Sequence, residues 1–159
     1  MAAVAPVRVI LEHVLAGATT PAFDRTFRLG GSQVRQVCTD ASLVPMMTTA
    51  FRHLDSSIGP RPVDLTVVCM TATPADIAAL AGQRNWTHSQ VRADSVQLLD
   101  VPGRLGVHAV TDMASARDFE VGTPMRQLLH WWVVQSGSLL VHAARVAGFG
   151  QVNARPPTG

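Results

Sequence analysis

The chain contains no lysine and no tyrosine, and only two of its 159 residues are cysteine. A P-loop kinase uses a lysine to contact the β- and γ-phosphates of ATP, so a chain without lysine is not a working P-loop kinase. The two cysteines, Cys38 and Cys69, have no further cysteine or histidine beside them at zinc-ligand spacing. We therefore expect no zinc site and no disulfide framework, and we predict that both cysteines are buried free thiols.

Long apolar runs and charge of one sign are also scarce. The net charge is +2, and the 13 basic residues, all arginines, are scattered along the chain without a run that could follow a nucleic-acid backbone. No stretch approaches the roughly 18 apolar residues that a membrane span needs. Arg8, Glu12 and His13 interrupt the apolar N-terminal segment, which excludes a signal peptide of the usual form. We expect no nucleic-acid partner, no membrane association and a cytoplasmic location.

What the chain does have is enough apolar material for a core. Hydrophobic residues make up 47% of the sequence and charged residues 15%, which is typical of a folded chain rather than a disordered one. The length suits a single domain. We predict one α+β domain over residues 1–147. Residues 148–159 (GFGQVNARPPTG) lack any periodicity, and their Pro, Gly and Asn content predicts a disordered tail.

Apolar residues are spaced as in β-strands in several segments. Phe23 to Leu29 and Gln33 to Cys38 flank Gly30-Gly31, a pattern typical of a β-hairpin. The β-branched run from Val63 to Met70 predicts a largely buried strand. Other strands are predicted in two places: two or three between Trp86 and Val110, with Val96 to Leu99 and Leu105 to Val110 on either side of a Pro102-Gly103 turn, and one from Leu139 to Val146.

Three other segments predict helices. After the capping pair Thr39-Asp40, apolar residues from Leu43 to Leu54 follow helical spacing. Thr73 and Pro74 predict the start of a helix that runs to Leu80. A third helix is predicted after Thr123-Pro124, with apolar residues around most of its girth: Leu128, Leu129, Trp131, Trp132 and Val133. The segment Val4 to Leu15 fits either a strand or a short helix. The order of elements predicts an α+β fold, a mixed sheet with packed helices.

One part of the sequence resembles a known family. The run Thr123 to Trp132 (TPMRQLLHWW), followed by Gly137 to Ala144 (GSLLVHAA), resembles HPr-kinase-like bacterial serine kinases, found especially in actinobacteria. In that family a helix of the form P-x-R-x-L-L-H-W-W leads to a strand of the form L-V-H-A-A-x-V, and a second apolar strand and a phosphate loop follow. The resemblance extends over Phe27 to Ala147, as the N-terminal part of such a protein.

The resemblance implies an activity for full-length relatives: transfer of phosphate from ATP, with Mg²⁺, to a serine of a protein or peptide. This chain departs from the family where the phosphate loop is expected. Gly148-x-Gly150 has no third glycine, no lysine and no following helix, so we interpret it as a turn. We expect a truncated, non-catalytic HPr-kinase-like protein, produced by a genuine truncation or by a frameshift, with no ATP or Mg²⁺ bound by this chain.

A second hypothesis, from a different class, is a stand-alone module that binds a peptide or protein, for instance by strand addition at the edge of the predicted strand Leu139 to Val146. An enzyme of unknown chemistry has no positive motif. His130 and His142 lack the HxxxH spacing of a zinc site, no G-x-S-x-G elbow is present, and Trp131-Trp132 is typical of a core helix. We therefore predict no catalytic, cofactor-binding or metal-binding residue.

Overall fold

The computed structural model describes residues 11–12, 16–17, 20–52, 54, 62–82, 86–111 and 125–135. Within these ranges the chain forms one six-stranded mixed sheet and three α-helices. The strands are β1 (Phe23–Leu29), β2 (Ser32–Cys38), β3 (Leu65–Thr71), β4 (His88–Val91), β5 (Ser95–Asp100) and β6 (Leu105–Val110), and the helices are α1 (Val44–Phe51), α2 (Pro74–Gly82) and α3 (Arg126–Gln135). The predicted α+β fold with a mixed sheet is confirmed.

The strands lie in the order β1-β2-β3-β6-β5-β4. The strands β2, β3 and β6 are parallel to one another. The single strand β1 lies antiparallel beside β2 at one edge, and β5 and then β4, each antiparallel to its neighbour, complete the sheet on the side of β6. Parallel strands are usually covered on both faces. Accordingly every residue of β6 is buried, and so is every residue of β3 except Thr66 and Thr71, which are partly exposed.

The β1–β2 hairpin forms as its sequence predicts. Gly30 and Gly31 both have positive φ, 56° and 84°, and the turn closes on the pair Leu29 and Ser32. A two-residue turn with positive φ at both positions matches the twist of the flanking strands, and glycine adopts it without strain. β2 begins at Ser32, one residue before the predicted start.

Side chains cap the first residues of two helical segments. At α2, the Asp76 amide donates to Thr73 Oγ1 at 3.2 Å and the Thr73 amide donates to Asp76 Oδ2 at 3.3 Å, a reciprocal capping box. Before α1, Asp40 Oδ1 accepts from the Ser42 amide at 2.9 Å and caps a 3₁₀ turn over Ala41–Leu43. The predicted capping roles of Thr73 and Asp40 are confirmed.

α1 ends at Phe51, three residues before the end of its predicted apolar stripe. The guanidinium of Arg25, on β1, donates to the carbonyl oxygens of Phe51 at 3.0 Å and Leu54 at 2.9 Å. These bonds satisfy carbonyls that lose their helical partners where a helix ends. Leu54 still packs against the core, outside the helix.

The sheet has a hydrophobic core on each face. α1 and α3 cover one face, which we call the α3 face, with buried residues that include Phe27, Met47 and Leu128. α2 covers the opposite face through Ile77 and Leu80. Other predictions lie outside the described residues: most of Val4 to Leu15, of which Leu11 and Glu12 are helical, the strand Leu139 to Val146, and the tail 148–159. Among the described helices, none is long and apolar enough to cross a membrane.

Gly106 on β6 lies directly beneath the Leu128 side chain of helix α3. A Cβ atom at this position would lie 2.9 Å from Leu128 Cδ2 and 3.3 Å from Val67 Cγ2. We expect Gly106→Ala to lower the free energy of unfolding by about 1–3 kcal/mol, because the helix has to move away from the sheet. Denaturant unfolding measures the change.

The matched control is Gly82→Ala at the end of α2, where an added Cβ meets nothing within 4 Å. This variant should be as stable as the parent chain or slightly more stable. Equal stability of the two alanine variants would contradict the close packing of α3 on β6.

Candidate functional site

A row of buried polar side chains crosses the α3 face. Cys38, Cys69, His108 and Gln97 are Cα partners in register on the neighbouring strands β2, β3, β6 and β5. Residues paired in register project to the same face of a sheet. Both cysteines and His108 are completely buried, and Gln97 is 7% exposed. Two thiols, an imidazole and an amide therefore lie side by side beneath α3, and we call them the polar row.

The two thiols of the polar row influence each other's ionisation. The Cys69 thiol, as a hydrogen-bond donor towards Cys38, lowers the pKa of Cys38. The interaction with Cys38, followed by burial, raises the pKa of Cys69 well above its usual value. Cys69 Sγ also lies 3.3 Å from Met125 Sδ, so its single proton has a second sulfur acceptor. Both cysteines are free, as predicted.

His108 is held neutral in the centre of the polar row. Its burial lowers its pKa from 6.5 to about 4. Neither ring nitrogen has a hydrogen-bond partner in the described part of the chain. An unpartnered polar group in a core costs about 1–3 kcal/mol, so His108 is an exception to the rule that buried polar groups are hydrogen-bonded.

The two buried glutamines of this face differ in their contacts. Gln97 Oε1 accepts from the Leu128 amide at 2.9 Å and so holds the first turn of α3 against β5. Gln36, on β2 one position along from the polar row, has no well-formed hydrogen bond to either side-chain atom within the described residues. Its amide nevertheless lies near enough to Cys69 to favour the thiolate slightly. On the α3 face, the polar side-chain atoms of His108 and Gln36 therefore have no well-formed hydrogen bond among the described residues.

Helix α3 covers the polar row on the α3 face. Trp132 is 9% exposed, and its Nε1 donates to Ser32 Oγ on β2 at 3.1 Å. Trp131 packs against the same core and stacks on His88 of β4, with ring centroids 5.2 Å apart. Together with the Gln97 bond at its first turn, these contacts anchor α3 to β2, β4 and β5. The predicted core role of the tryptophan pair is confirmed for Trp132, while Trp131 is only partly buried.

The other residues singled out in the sequence do not join this site. His130 lies on α3 at an intermediate position and contributes nothing to the polar row. His142 and the Gly148-x-Gly150 turn lie outside the described residues. Within the described ranges, no three His, Cys, Asp or Glu side chains come close enough together to form a metal site.

Sequence reasoning missed four residues of the α3 face: Gln36, Gln97, His108 and Met125. A signal existed for the first three, because each is a polar residue within an apolar strand and lies on a position that alternation assigns to a buried face. The neighbouring positions of the two cysteines follow only from the parallel register of β2 and β3, which spacing in the sequence does not show.

Comparison with known proteins yields no relative. No protein-family model matches the chain, and neither a curated protein nor a solved structure is significantly similar to it. The interpretation of the site therefore depends on its own geometry.

The burial of His108 predicts a dependence of stability on pH. Since its pKa is about 4 in the folded chain and 6.5 when solvated, the unfolded chain binds the proton first as the pH falls. Protonation of His108 in the unfolded chain therefore lowers the free energy of unfolding as the pH falls from 6.5 to 4, by up to about 3 kcal/mol, and has no effect above this range. Unfolding in denaturant at a series of pH values measures this loss.

His108→Leu removes the titrating group and the two unpartnered nitrogens at similar volume. We expect this variant to lose less stability than the parent chain between pH 6.5 and pH 4. The same pH profile in both proteins would contradict a neutral, buried His108.

Proposed function

We propose that this chain is the N-terminal, non-catalytic part of an HPr-kinase-like bacterial serine kinase, whose full-length relatives would transfer phosphate from ATP to a serine of a protein or peptide. The observation that carries the proposal is the run RQLLHWW, which resembles a helix of that family and forms the first seven residues of α3. Its leucines and Trp132 pack on the sheet. Packing of this kind suits a helix that stabilises the domain rather than a helix that binds nucleotide.

The starts of the described helices support the non-catalytic part of the proposal. Phosphate groups bind where free backbone amides point out of a helix N-terminus. Asp40 accepts from the Ser42 amide in the 3₁₀ turn before α1, Asp76 accepts from the Thr73 amide at the start of α2, and the Leu128 amide of α3 donates to Gln97. The Ser42 amide and the Thr71 hydroxyl lower the pKa of Asp40, so this carboxylate is charged and would repel a phosphate. No lysine exists in the sequence to offset that repulsion.

ATP binding tests this proposal. We expect isothermal titration of the full chain with ATP and Mg²⁺ to give no heat of binding, and the midpoint of thermal unfolding to stay unchanged at saturating nucleotide. The controls are titrations of the same chain with AMP and with buffer alone. Micromolar binding of ATP would contradict a non-catalytic role.

A stand-alone module that binds a peptide or protein is the second candidate. The observation that favours it is the core on both faces of the sheet, with α2 on one face and α1 and α3 on the other. A sheet covered on both faces can be stable without another domain. A part detached from a kinase core would instead expose apolar surface where that core is missing.

Purification distinguishes the two candidates. A monodisperse chain with one cooperative unfolding transition favours the stand-alone module. Aggregation at micromolar concentration, relieved by co-expression with the nucleotide-binding part of an HPr-kinase-like protein, favours the kinase fragment. Sedimentation velocity measures the first result, and co-purification of the two parts measures the second.

A further inference from the structure

Three sulfur atoms meet beneath the first turn of α3. Cys38 and Cys69 are Cα partners on the same face of neighbouring parallel strands, and Met125 Sδ lies 3.3 Å from Cys69 Sγ. All three side chains are completely buried. We call Cys38, Cys69 and Met125 the sulfur cluster.

Met125 reaches Cys69 from a strained backbone conformation. Its φ is +60°, in the left-handed region that side chains other than glycine rarely adopt. Such a conformation costs about 1–3 kcal/mol and persists only where the surroundings impose it. Met125 directly precedes α3, and this strained conformation places its thioether next to the thiol of Cys69.

His108 supplies an observation that is independent of the sulfur atoms. It is the in-register neighbour of Cys69 on β6, it is completely buried, and neither of its ring nitrogens has a hydrogen-bond partner among the described residues. A thiolate at Cys69 would accept a hydrogen bond from a ring N–H on that side. While Cys69 is a protonated thiol, the ring N–H of His108 thus has no acceptor among the described residues.

We propose that the sulfur cluster binds one Cu(I) ion through the thiolates of Cys38 and Cys69 and the thioether of Met125. Thiolate and thioether are the soft ligands that select Cu(I). Zinc in structural sites takes four ligands, and the described part of the chain brings no third His, Cys, Asp or Glu to the two cysteines. Three sulfur ligands suit a Cu(I) ion and leave zinc one ligand short.

Binding is an exchange of protons for the metal, without a redox change. The two thiol protons leave to solvent, Cu(I) enters, and two S–Cu bonds and one thioether contact form. The bound group then carries one net negative charge, because two thiolates outweigh one monovalent cation. We expect the neutral His108, the in-register neighbour of Cys69 on β6, to donate a ring N–H to that charge, so His108 is a positioning residue.

A competition experiment tests the site. The reduced full chain is equilibrated without oxygen against the Cu(I) complex of bicinchoninate, a coloured chelator. We expect the chain to withdraw one equivalent of copper and to gain a thiolate-to-Cu(I) absorption in the ultraviolet, and zinc should not compete. Absence of copper transfer would overturn the proposal and leave the three sulfurs as core packing only.

Variants locate the ion. Met125→Leu keeps an apolar side chain of similar volume and should weaken Cu(I) binding by about tenfold or more, as loss of a partner of a metal site does. Met70→Leu, a buried methionine on the opposite face, is the matched control and should bind as the parent chain does. Equal copper affinity in the two leucine variants would overturn the assignment of Met125.

Cys69→Ser should abolish the ultraviolet band, and circular dichroism checks that the variant is folded. If Cys69→Ser is unfolded, copper binding by Cys38→Ser and Met125→Leu tests the site instead. His108→Leu should bind copper more weakly while retaining the band. Unchanged binding in His108→Leu would remove this residue from the site.

Discussion

The parallel register of β2, β3 and β6 is the constraint on which the rest of the structure depends. Strands that are parallel and central have to be covered on both faces, and this requirement places α1 and α3 on one face and α2 on the other. The same register aligns Cys38, Cys69 and His108, which are otherwise far apart in sequence. A slip of any one of these strands by one residue would turn its own member of the row to the α2 face.

Helix α3 makes that face into a closed interior. Gly106 lets the helix approach the sheet, and Gln97 and Ser32 hold it through hydrogen bonds to Leu128 and Trp132. The polar groups that remain, above all His108, are destabilising as long as they lack partners. The helix whose sequence resembles an HPr-kinase-like element thus also covers the polar row, and Met125 belongs both to the run that resembles that family and to the proposed copper site.

Most strands and helices follow from local signals in the sequence, whereas the site does not. The Gly-Gly turn, the Thr73 cap and the β-branched run of β3 are each decided by residues next to one another, so the pattern predicts them. The row from Cys38 to Gln97 depends on strand order, and strand order depends on packing between distant segments. The end of α1 at Phe51 likewise depends on Arg25, which is distant in sequence and supplies the cap.

Helix α3 lies across the sheet and covers the polar row, and the bond between Trp132 Nε1 and Ser32 Oγ holds it there across 100 residues of sequence. A double-mutant cycle on the free energy of unfolding, with Trp132→Phe and Ser32→Ala, tests this placement most directly. We expect a coupling energy of about 1 kcal/mol between the two positions. Additive effects of the two substitutions would contradict the docking of α3 over β2 and, with it, the enclosure of the row.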